Sequence, residues 1–226
     1  MLNKHRKAAA ELNEIRNLVL KKLKEDLTEK QLSLFILNEY KKRGLKPSGK
    51  PKVIVSFGKN TAEIHHFPKN IRINKGPIML DMWAKHKNGW FADLTWMIYK
   101  GKADKEFLRC FDLLVKARNK AIQFLKSCLK DKYLPTYFEV DAISRAYLAE
   151  HRLGYAFKHR IGHKLGKKVH AGSRKEYYER LKTGQPYTIE PGIYLKDFGI
   201  RLENDFWIDS KFKMHIKNVQ NKLISI

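Results

Sequence analysis

The 226-residue chain is short of cysteine, of long apolar runs and of acidic side chains. Its two cysteines, Cys110 and Cys128, lie in helix-like segments without the spacing of a metal site, so we expect reduced thiols rather than a disulfide. No apolar stretch approaches the ~20 residues of a membrane helix, and charges interrupt every one. The first residues lack the apolar core of a secretion signal. These absences predict a cytoplasmic protein without membrane contact.

The shortage of acidic residues leaves a net charge of +24, with 47 Lys and Arg against 23 Asp and Glu. The basic residues are spread along the whole chain instead of forming one tail or stripe. A nucleic-acid surface is one interpretation, because Lys and Arg neutralise phosphates. However, no aromatic RNA-binding motif, helix-turn-helix or zinc finger accompanies the charge. We therefore favour a solvated Lys-rich surface and do not expect nucleic acid as a partner.

Apolar periodicity predicts four helices, over about 3–24, from a capping box at Thr28–Gln31 to Gly44, over about 104–130, and over about 139–151 with Gly154 closing the last. Alternating or continuous apolar runs predict strands at 53–57, 78–83, 90–99, 187–190, 192–195 and 200–208, with a further one near the C-terminus. Leading helices followed by mixed strands and helices indicate an α+β fold. We expect one domain over 1–226, with leading helices in 1–50, a core in 52–226 and no separate N-terminal domain.

Two aspartates interrupt the predicted hairpin. Asp81 ends one apolar run, and Asp93 follows twelve residues later in the paired strand. A carboxylate in an apolar strand is costly to bury unless a cation or hydrogen bonds compensate it. If both side chains point to one face they converge, and a metal ion would remove their repulsion. The alternative is that one lies in the turn and the other caps a neighbouring element.

Imidazoles and glutamates are concentrated further along the chain. His159, His163 and His170 fall within twelve residues, in a segment punctuated by glycine. Glu190 ends an apolar strand before a Pro-Gly turn, and Glu203 is placed by the pattern within the strand predicted at 200–208. Singly, each histidine is explained as a satisfied core or surface group, and each glutamate as an edge residue that pairs with lysine. Together with the two aspartates, His163, Glu190 and Glu203 provide the oxygen-rich, one-nitrogen ligand set that suits Mn, Co, Fe or Zn.

Six motifs occur in a fixed order: N-x-x-x-x-H-H-x-P at 60–68, L-D-x-W at 80–83, A-D-L-T at 92–95, H-R-x-G-H at 159–163, T-I-E-P-G-I-Y at 188–194 and G-I-R-L-E at 199–203. In this order they resemble metallopeptidase family M24, which includes the methionine aminopeptidases, Xaa-Pro aminopeptidases and prolidases. The resemblance covers about 52–209. It implies the pita-bread fold, in which helices cover a curved, mixed and mainly antiparallel sheet.

The resemblance also implies two divalent metal ions, Mn or Co first and Fe or Zn as alternatives. Asp81 would bind the first ion, and His163 and Glu190 the second. Asp93 and Glu203 would bridge both ions together with a hydroxide. Glu190 would also accept the proton of the attacking water.

Further residues match positions that contact substrate in this family. His65 and His170 would contact the peptide, His159 and His170 would stabilise the tetrahedral intermediate, and Arg201 matches an arginine of the proline-directed members. The sequence departs from the common pattern at Trp83, Trp96, Lys164 and Ala171 without losing a metal ligand.

The predicted function is hydrolysis of the N-terminal peptide bond of peptides. No nucleophilic Ser or Cys is needed for this reaction, because the metal pair activates water. The block H-R-x-G-H and Arg201 favour Xaa-Pro substrates, as in aminopeptidase P or prolidase. Methionine aminopeptidase activity is the enzymatic alternative. A non-catalytic module that binds peptides or nucleic acid is the alternative of another class. Peptides are the expected partners, and the sequence leaves a homodimer open.

Overall fold

The computed structural model describes all 226 residues. Its four helices are α1 (Leu2–Lys22), α2 (Glu29–Lys42), α3 (Lys105–Lys130) and α4 (Tyr137–Glu150). Its nine strands are β1 (Ile54–Phe57), β2 (Gly76–Ala84), β3 (Ala92–Lys100), β4 (Pro186–Ile189), β5 (Gly192–Tyr194), β6 (Gly199–Arg201), β7 (Asn204–Ile208), β8 (Met214–Ile216) and β9 (Ile224–Ser225). None of the four helices combines the length and the apolar character that a membrane span requires.

Side-chain caps fix where the helices begin. The hydroxyl of Thr28 accepts a hydrogen bond from the Gln31 N–H at 3.2 Å, and the Gln31 side chain accepts one from the Thr28 N–H at 2.9 Å. Thr136 and Glu139 form a second capping box at α4. Each box satisfies backbone N–H groups that have no partner inside the helix. The predicted helix start at Thr28 is therefore confirmed.

The predicted end of α4 is wrong in one detail. The left-handed residue after this helix is Arg152, with φ at 60°, and Gly154 does not adopt a positive φ. A Cβ added at Gly154 would lie 3.1 Å from the Cβ of Ala149, so this glycine permits close packing against α4 instead of ending it. The other predicted stop is confirmed, because Gly44 follows α2 with φ at 66°.

The strands form three sheets. β1, β2 and β3 pair antiparallel in that order, and β9 adds parallel to β3. β4, β7 and β8 form an antiparallel three-stranded sheet, and β5 pairs with β6. An isolated bridge between Thr95 and Glu203 joins β3 to the segment between β6 and β7. This bridge brings the two halves of the chain together.

The predicted strand at 200–208 is interrupted. It divides into β6 and β7, and Glu203 lies between them in the bridge to Thr95 instead of within a strand. No local pattern indicates this break, because Leu202 continues the apolar pattern of the predicted strand. The interruption turns the chain from the partner β5 to the partner β4.

Strand alternation divides the core into two layers. Ile78, Leu80 and Met82 of β2 pack with the apolar sides of α1 and α2. Met79 of β2 faces the other way and joins the larger cluster formed with α3, α4 and the later strands. Side chains two residues apart on a strand share a face. Asp81 therefore shares the face of Met79, on the side of the larger cluster.

The two cysteines are free, as predicted. Cys110 is buried on α3 and Cys128 is half-buried near the end of the same helix. Burial is the main reason that the pKa of each thiol lies above its usual value, so both are protonated near neutral pH.

Candidate metal centre

The hairpin of β2 and β3 places two carboxylates on one face. Asp81 pairs with Thr95, and Trp83 pairs with Asp93. Asp81 and Asp93 are therefore diagonal neighbours on adjacent strands, with side chains on the same face. Both are buried. The sequence prediction that these carboxylates converge agrees with this register.

His163 and Glu203 reach the same point from the second half of the chain. One ligand atom each from Asp93, His163 and Glu203 can be chosen so that all three lie within 4.8 Å of one another. The Nε2 of His163 is 3.7 Å from a carboxylate oxygen of Asp93 and 3.2 Å from one of Glu190. Three of the predicted carboxylate ligands, Asp93, Glu190 and Glu203, thus lie close to His163.

The backbone around His163 is held close to β4. The N–H of His163 donates to the Thr188 hydroxyl at 3.0 Å, and that hydroxyl donates to Glu190 at 3.1 Å. A Cβ at Gly162 would overlap the carbonyl oxygen of Thr188. Glycine is therefore required at 162 because the two backbones touch there. Thr188 was not singled out from the sequence, although its position two residues before Glu190 on a strand indicates a shared face.

The carboxylates are incompletely satisfied by the protein. Glu203 accepts a hydrogen bond from the Thr95 hydroxyl at 2.7 Å with one oxygen, but its Oε1 is buried without a partner. The Oδ1 of Asp81 is also buried without a partner. Buried polar atoms are rarely left unpaired, and exceptions often mark an ion or water site. These two oxygens fit divalent cations as their missing partners.

The pKa values of these acids show the same deficit of positive charge. Burial, followed by repulsion from Glu203 and Asp81, raises the pKa of Asp93 well above its usual value. Burial and repulsion from Glu190 and Asp81 do the same to the pKa of Glu203. A divalent cation favours the ionised form of each. The donor set, four carboxylates and one imidazole, suits such a cation.

Glu190 differs from the other acids. Burial alone would raise its pKa, but the hydrogen bond from His163 and the charges of His163, His159 and Arg201 lower it to about 2. Glu190 is therefore ionised at neutral pH. One anionic carboxylate is already in place beside the imidazole.

Arg201 connects Asp81 to residues that sequence reasoning missed. Its guanidinium forms a buried ion pair with Asp81 and donates at 2.8 Å to the hydroxyl of Tyr194. His159 contacts the Arg160 carbonyl through Nδ1 and the Tyr194 hydroxyl through Nε2, each at 2.8 Å. Because a carbonyl only accepts, Nδ1 donates and Nε2 accepts the proton of Tyr194. A continuous polar relay therefore links Asp81 to His159.

Asp205, which sequence reasoning also missed, supports the backbone at Asp93. The carboxylate of Asp205 on β7 accepts a hydrogen bond from the backbone N–H of Asp93 at 3.1 Å. The Nδ1 of His5 on α1 lies 2.7 Å from the carbonyl oxygen of Phe91. These contacts hold the backbone at the start of β3, where Asp93 is the second residue. No local sequence pattern could reveal them, because each joins segments more than 80 residues apart.

All predicted site residues line one open cavity of 880 Å³. It contains the five predicted metal ligands together with His65, His159, His170 and Arg201. His65 and His170 are exposed within it, whereas Arg201 is buried at its base. Although His170 is exposed to the cavity, the cavity walls keep part of the water away from its ring. This desolvation, and secondarily the charge of His163, lowers the pKa of His170, so its imidazole is neutral near pH 7. Arg174 also lines the cavity and was not predicted.

A buried cluster of acidic ligands with one imidazole, at the junction of helix-covered sheets, defines a candidate divalent-metal centre in an α+β fold. The sequence pattern of metallopeptidase family M24 matches residues 3–210. The chain belongs to this family, as its six motifs predict.

Relatives and solved structures agree on the fold. The Xaa-Pro dipeptidase of Pyrococcus horikoshii is 29% identical over 175 residues, which cover 76% of this chain and 48% of that protein. A prolidase from Thermococcus sibiricus superposes with a TM-score of 0.86 at 29% identity, covering 100% of this chain and 60% of the other. An X-Pro aminopeptidase from Thermotoga maritima gives 0.88 at 23% identity, covering 100% and 63%. The predicted pita-bread fold is confirmed, and the chain spans about half the length of the curated relatives it matches.

Proposed function

We propose that this chain carries the catalytic centre of a dinuclear-metal exopeptidase that hydrolyses the N-terminal peptide bond of peptides, with Xaa-Pro peptides as substrates. The observation that carries the proposal is the convergence of Asp93, His163 and Glu203 within 4.8 Å, in a cavity that also holds Asp81 and Glu190. In this proposal residues 52–226 supply the metal site, and the helices of 1–50 cover the sheet behind it.

Each metal ligand has a distinct place in the proposal. Asp81 would hold one cation, His163 and Glu190 would hold the other, and Asp93 and Glu203 would be shared between them. The unpaired oxygens of Asp81 and Glu203 support this assignment, because each has a free coordination position. When bound, the two cations would supply a hydroxide from water at neutral pH and polarise the scissile carbonyl.

The remaining side chains orient the peptide and handle protons. Glu190 is ionised at neutral pH, as an acceptor of the proton from the attacking water must be. The exposed imidazoles of His65 and His170 can donate hydrogen bonds to a developing oxyanion, which favours the transition state over the substrate. Both nitrogens of His159 are already engaged, so it acts by fixing Tyr194 and Arg201.

Two features favour short Xaa-Pro peptides. A relative named Xaa-Pro dipeptidase is 29% identical over 175 residues, and a solved prolidase shares the fold with a TM-score of 0.86. In addition, the cavity is lined by the cationic side chains of Lys158, Arg160 and Arg174. A cationic wall complements the free carboxylate of a short peptide. This chemistry matches a peptide whose two charged ends both lie inside the cavity.

A peptide panel tests the proposal. Metal-free protein is supplied in turn with Mn, Co, Fe or Zn and assayed with Xaa-Pro dipeptides, Xaa-Pro-Xaa tripeptides and Met-Ala peptides, while calorimetry measures bound metal. We expect two metal ions per chain and release of the first residue from the Xaa-Pro peptides. Exclusive cleavage of Met-Ala peptides would identify a methionine aminopeptidase instead. Two bound ions without hydrolysis of any peptide would indicate a binding module.

A further inference from the structure

Trp83 lies beside the candidate metal centre and lines the same cavity as Asp81 and Asp93. It is two residues after Asp81 on β2, so the two side chains share a face. Its partner across the hairpin is Asp93. Trp83 is half-buried and lines the 880 Å³ cavity. A large aromatic surface therefore borders the space next to two proposed metal ligands.

The edge of the sheet bulges outward at Trp83. Lys46 pairs with Lys85, and Ile54 pairs with Asp81, so seven residues (47–53) run opposite only three (82–84). The four extra residues cannot follow β2 and must arch away from it. The indole N–H of Trp83 donates to the carbonyl oxygen of Ser48 in this arch at 2.8 Å. One side chain thus anchors the arch to β2.

The anchored arch forms part of the cavity wall. Its residues 48–51 line the cavity beside Trp83, and so does Ile54 at the start of β1. Ile54 is the cross-strand neighbour of Asp81. Trp83, Ile54 and Pro51 together provide an apolar surface beside Asp81. Lys50 of the same arch adds a positive charge at the exposed rim.

The cavity is chemically asymmetric. Arg160 and Arg174 line both this cavity and a neighbouring cavity of 230 Å³, whereas Trp83 and the arch line only the larger one. The two arginines therefore lie on a different part of the wall of the 880 Å³ cavity from Trp83. The ammonium group of a peptide is attracted to the cluster of carboxylates at Asp81, and the free carboxylate is attracted to the arginines. This orientation directs the side chain of the first residue toward Trp83.

We propose that Trp83, with Ile54 and Pro51, forms the subsite for the side chain of the first substrate residue and selects a large apolar residue there. The inference rests on the proposed peptidase function and deepens it. A leucine or phenylalanine side chain buries apolar area against the indole, whereas glycine leaves this surface exposed to water. Lys50 repels a lysine or arginine side chain at the same position.

The test compares wild type with Trp83→Ala, Trp83→Thr and Trp83→Phe. Threonine suits a strand and removes the aromatic wall, so it serves if the alanine variant does not fold. Trp207→Phe is the matched control, because Trp207 is half-buried and lies outside this cavity. The measured quantity is the ratio of kcat/KM for Leu-Pro to that for Gly-Pro, with Lys-Pro as the cationic substrate.

We expect wild type to prefer Leu-Pro over both other dipeptides, and Trp83→Ala or Trp83→Thr to lower the ratio of Leu-Pro to Gly-Pro about tenfold. Trp83→Phe keeps an aromatic wall, so its ratio should stay within about threefold of wild type, and the control should not change it. An unchanged or higher ratio in both truncated variants would overturn the assignment of Trp83.

A binding measurement separates this inference from the proposed function. Calorimetry on metal-free protein compares L-leucine with glycine, both of which carry the ammonium group and carboxylate of the first residue. Preferential binding of leucine by wild type, lost in Trp83→Thr, supports the subsite even if no peptide is hydrolysed. Equal binding of leucine by wild type and Trp83→Thr overturns it. Absence of hydrolysis by wild type counts only against the peptidase proposal.

Discussion

At the scale of single residues, the acids of the metal centre oppose folding when no cation is bound. Asp93 and Glu203 are buried beside other carboxylates, and the pKa of each is raised well above its usual value. A carboxyl group whose pKa is higher in the folded than in the unfolded state lowers stability as pH rises through that range. Near neutral pH, repulsion among these buried carboxylates therefore destabilises the metal-free protein, and bound cations would remove that repulsion.

The variant Asp93→Asn tests this balance. It keeps the hydrogen bond from the backbone N–H of residue 93 to the carboxylate of Asp205, and it removes one buried negative charge. We expect the metal-free variant to melt at the same or a higher temperature than wild type. In wild type, metal at 100 times its Kd should add about 2.7 kcal/mol to the free energy of unfolding and so raise the melting temperature. The variant lacks one ligand, so this metal-induced rise should be lost. Differential scanning fluorimetry with and without EDTA measures both effects.

Asp112→Asn is the control for Asp93→Asn, because Asp112 is an exposed carboxylate on α3. It should leave the metal-induced rise in melting temperature intact. Peptide hydrolysis should be abolished in Asp93→Asn and unchanged in the control. Turnover of Asp93→Asn at the wild-type rate would refute the assignment of Asp93 as a ligand of both ions.

At the scale of elements, one buried glutamate joins α2 to the sheet. Glu29, in the first turn of α2, accepts hydrogen bonds from the N–H of Phe57 at the end of β1 and from the N–H of Lys69, each at 2.8 Å. Its second oxygen also contacts Nε2 of His66 at 2.8 Å, and both side chains are fully buried. This pair attaches the helix to β1 and to the segment that carries His65.

The pH dependence of stability follows from the two pKa shifts. Burial opposes the charged forms, but hydrogen bonds to Glu29 and Glu63 outweigh it and raise the pKa of His66. Burial is likewise outweighed for Glu29, whose pKa is lowered by His66 and Asn60. The histidine contribution is complete below its unfolded value of about 6.5 and is lost as pH rises through its folded pKa. The glutamate contribution is complete above about 4.3 and is lost as pH falls through its folded pKa.

Glu29→Gln should therefore lower the free energy of unfolding most between about pH 4.3 and 6.5, by about 1.5–3 kcal/mol. The difference from wild type should shrink as pH rises through the folded pKa of His66, which lies above its usual value, because the imidazole then loses its proton. Urea unfolding at pH 6 and pH 9 in EDTA measures it. Glu25→Gln, which changes an exposed carboxylate, is the control. A difference that grows with pH would contradict a charged His66–Glu29 pair.

Local signals were sufficient for most of the elements. The capping box at Thr28, the stop at Gly44 and the aspartate-bearing hairpin all follow from residues close together in the sequence, and the structure has each of them. The break between β6 and β7 and the arch at 47–53 do not, because pairing with distant strands determines them.

In the candidate site, too, some residues could be predicted from local sequence motifs and others could not. The motifs pointed to the five proposed ligands, which line one cavity. Tyr194, Thr188 and Asp205 were missed because their importance arises from hydrogen bonds made across the fold. Trp83 was noted as a departure, but its bond to Ser48 depends on the arch and is invisible in the sequence.

At the scale of the whole molecule, the charges are distributed unequally between interior and surface. Seven of the 23 acidic side chains are buried, but only two of the 47 basic ones, Arg118 and Arg201. The surface is therefore relatively richer in cations than the composition alone indicates. Like charges at this density repel one another and destabilise the compact state.

Added salt should consequently stabilise the protein. Raising NaCl from about 10 mM to about 100 mM shortens the Debye length from about 30 Å to about 10 Å, which screens the repulsion. We expect the urea midpoint of metal-free protein to rise over this range and then level off. An equal osmolarity of glycerol, an uncharged solute, is the control. A midpoint that falls with salt would show that attractive surface pairs outweigh the repulsion.

The bridge between Thr95 and Glu203 has a consequence for how the protein matures. These residues are 108 positions apart, so a ribosome that adds roughly 5–20 amino acids per second delivers Glu203 roughly 5–20 s after Thr95. Until then the nascent chain lacks Glu203, and the incomplete set of ligands has a low affinity for a divalent cation. Capture of the cations is thus a late event in biogenesis, and it reports that both ends of the centre have been synthesised and have docked.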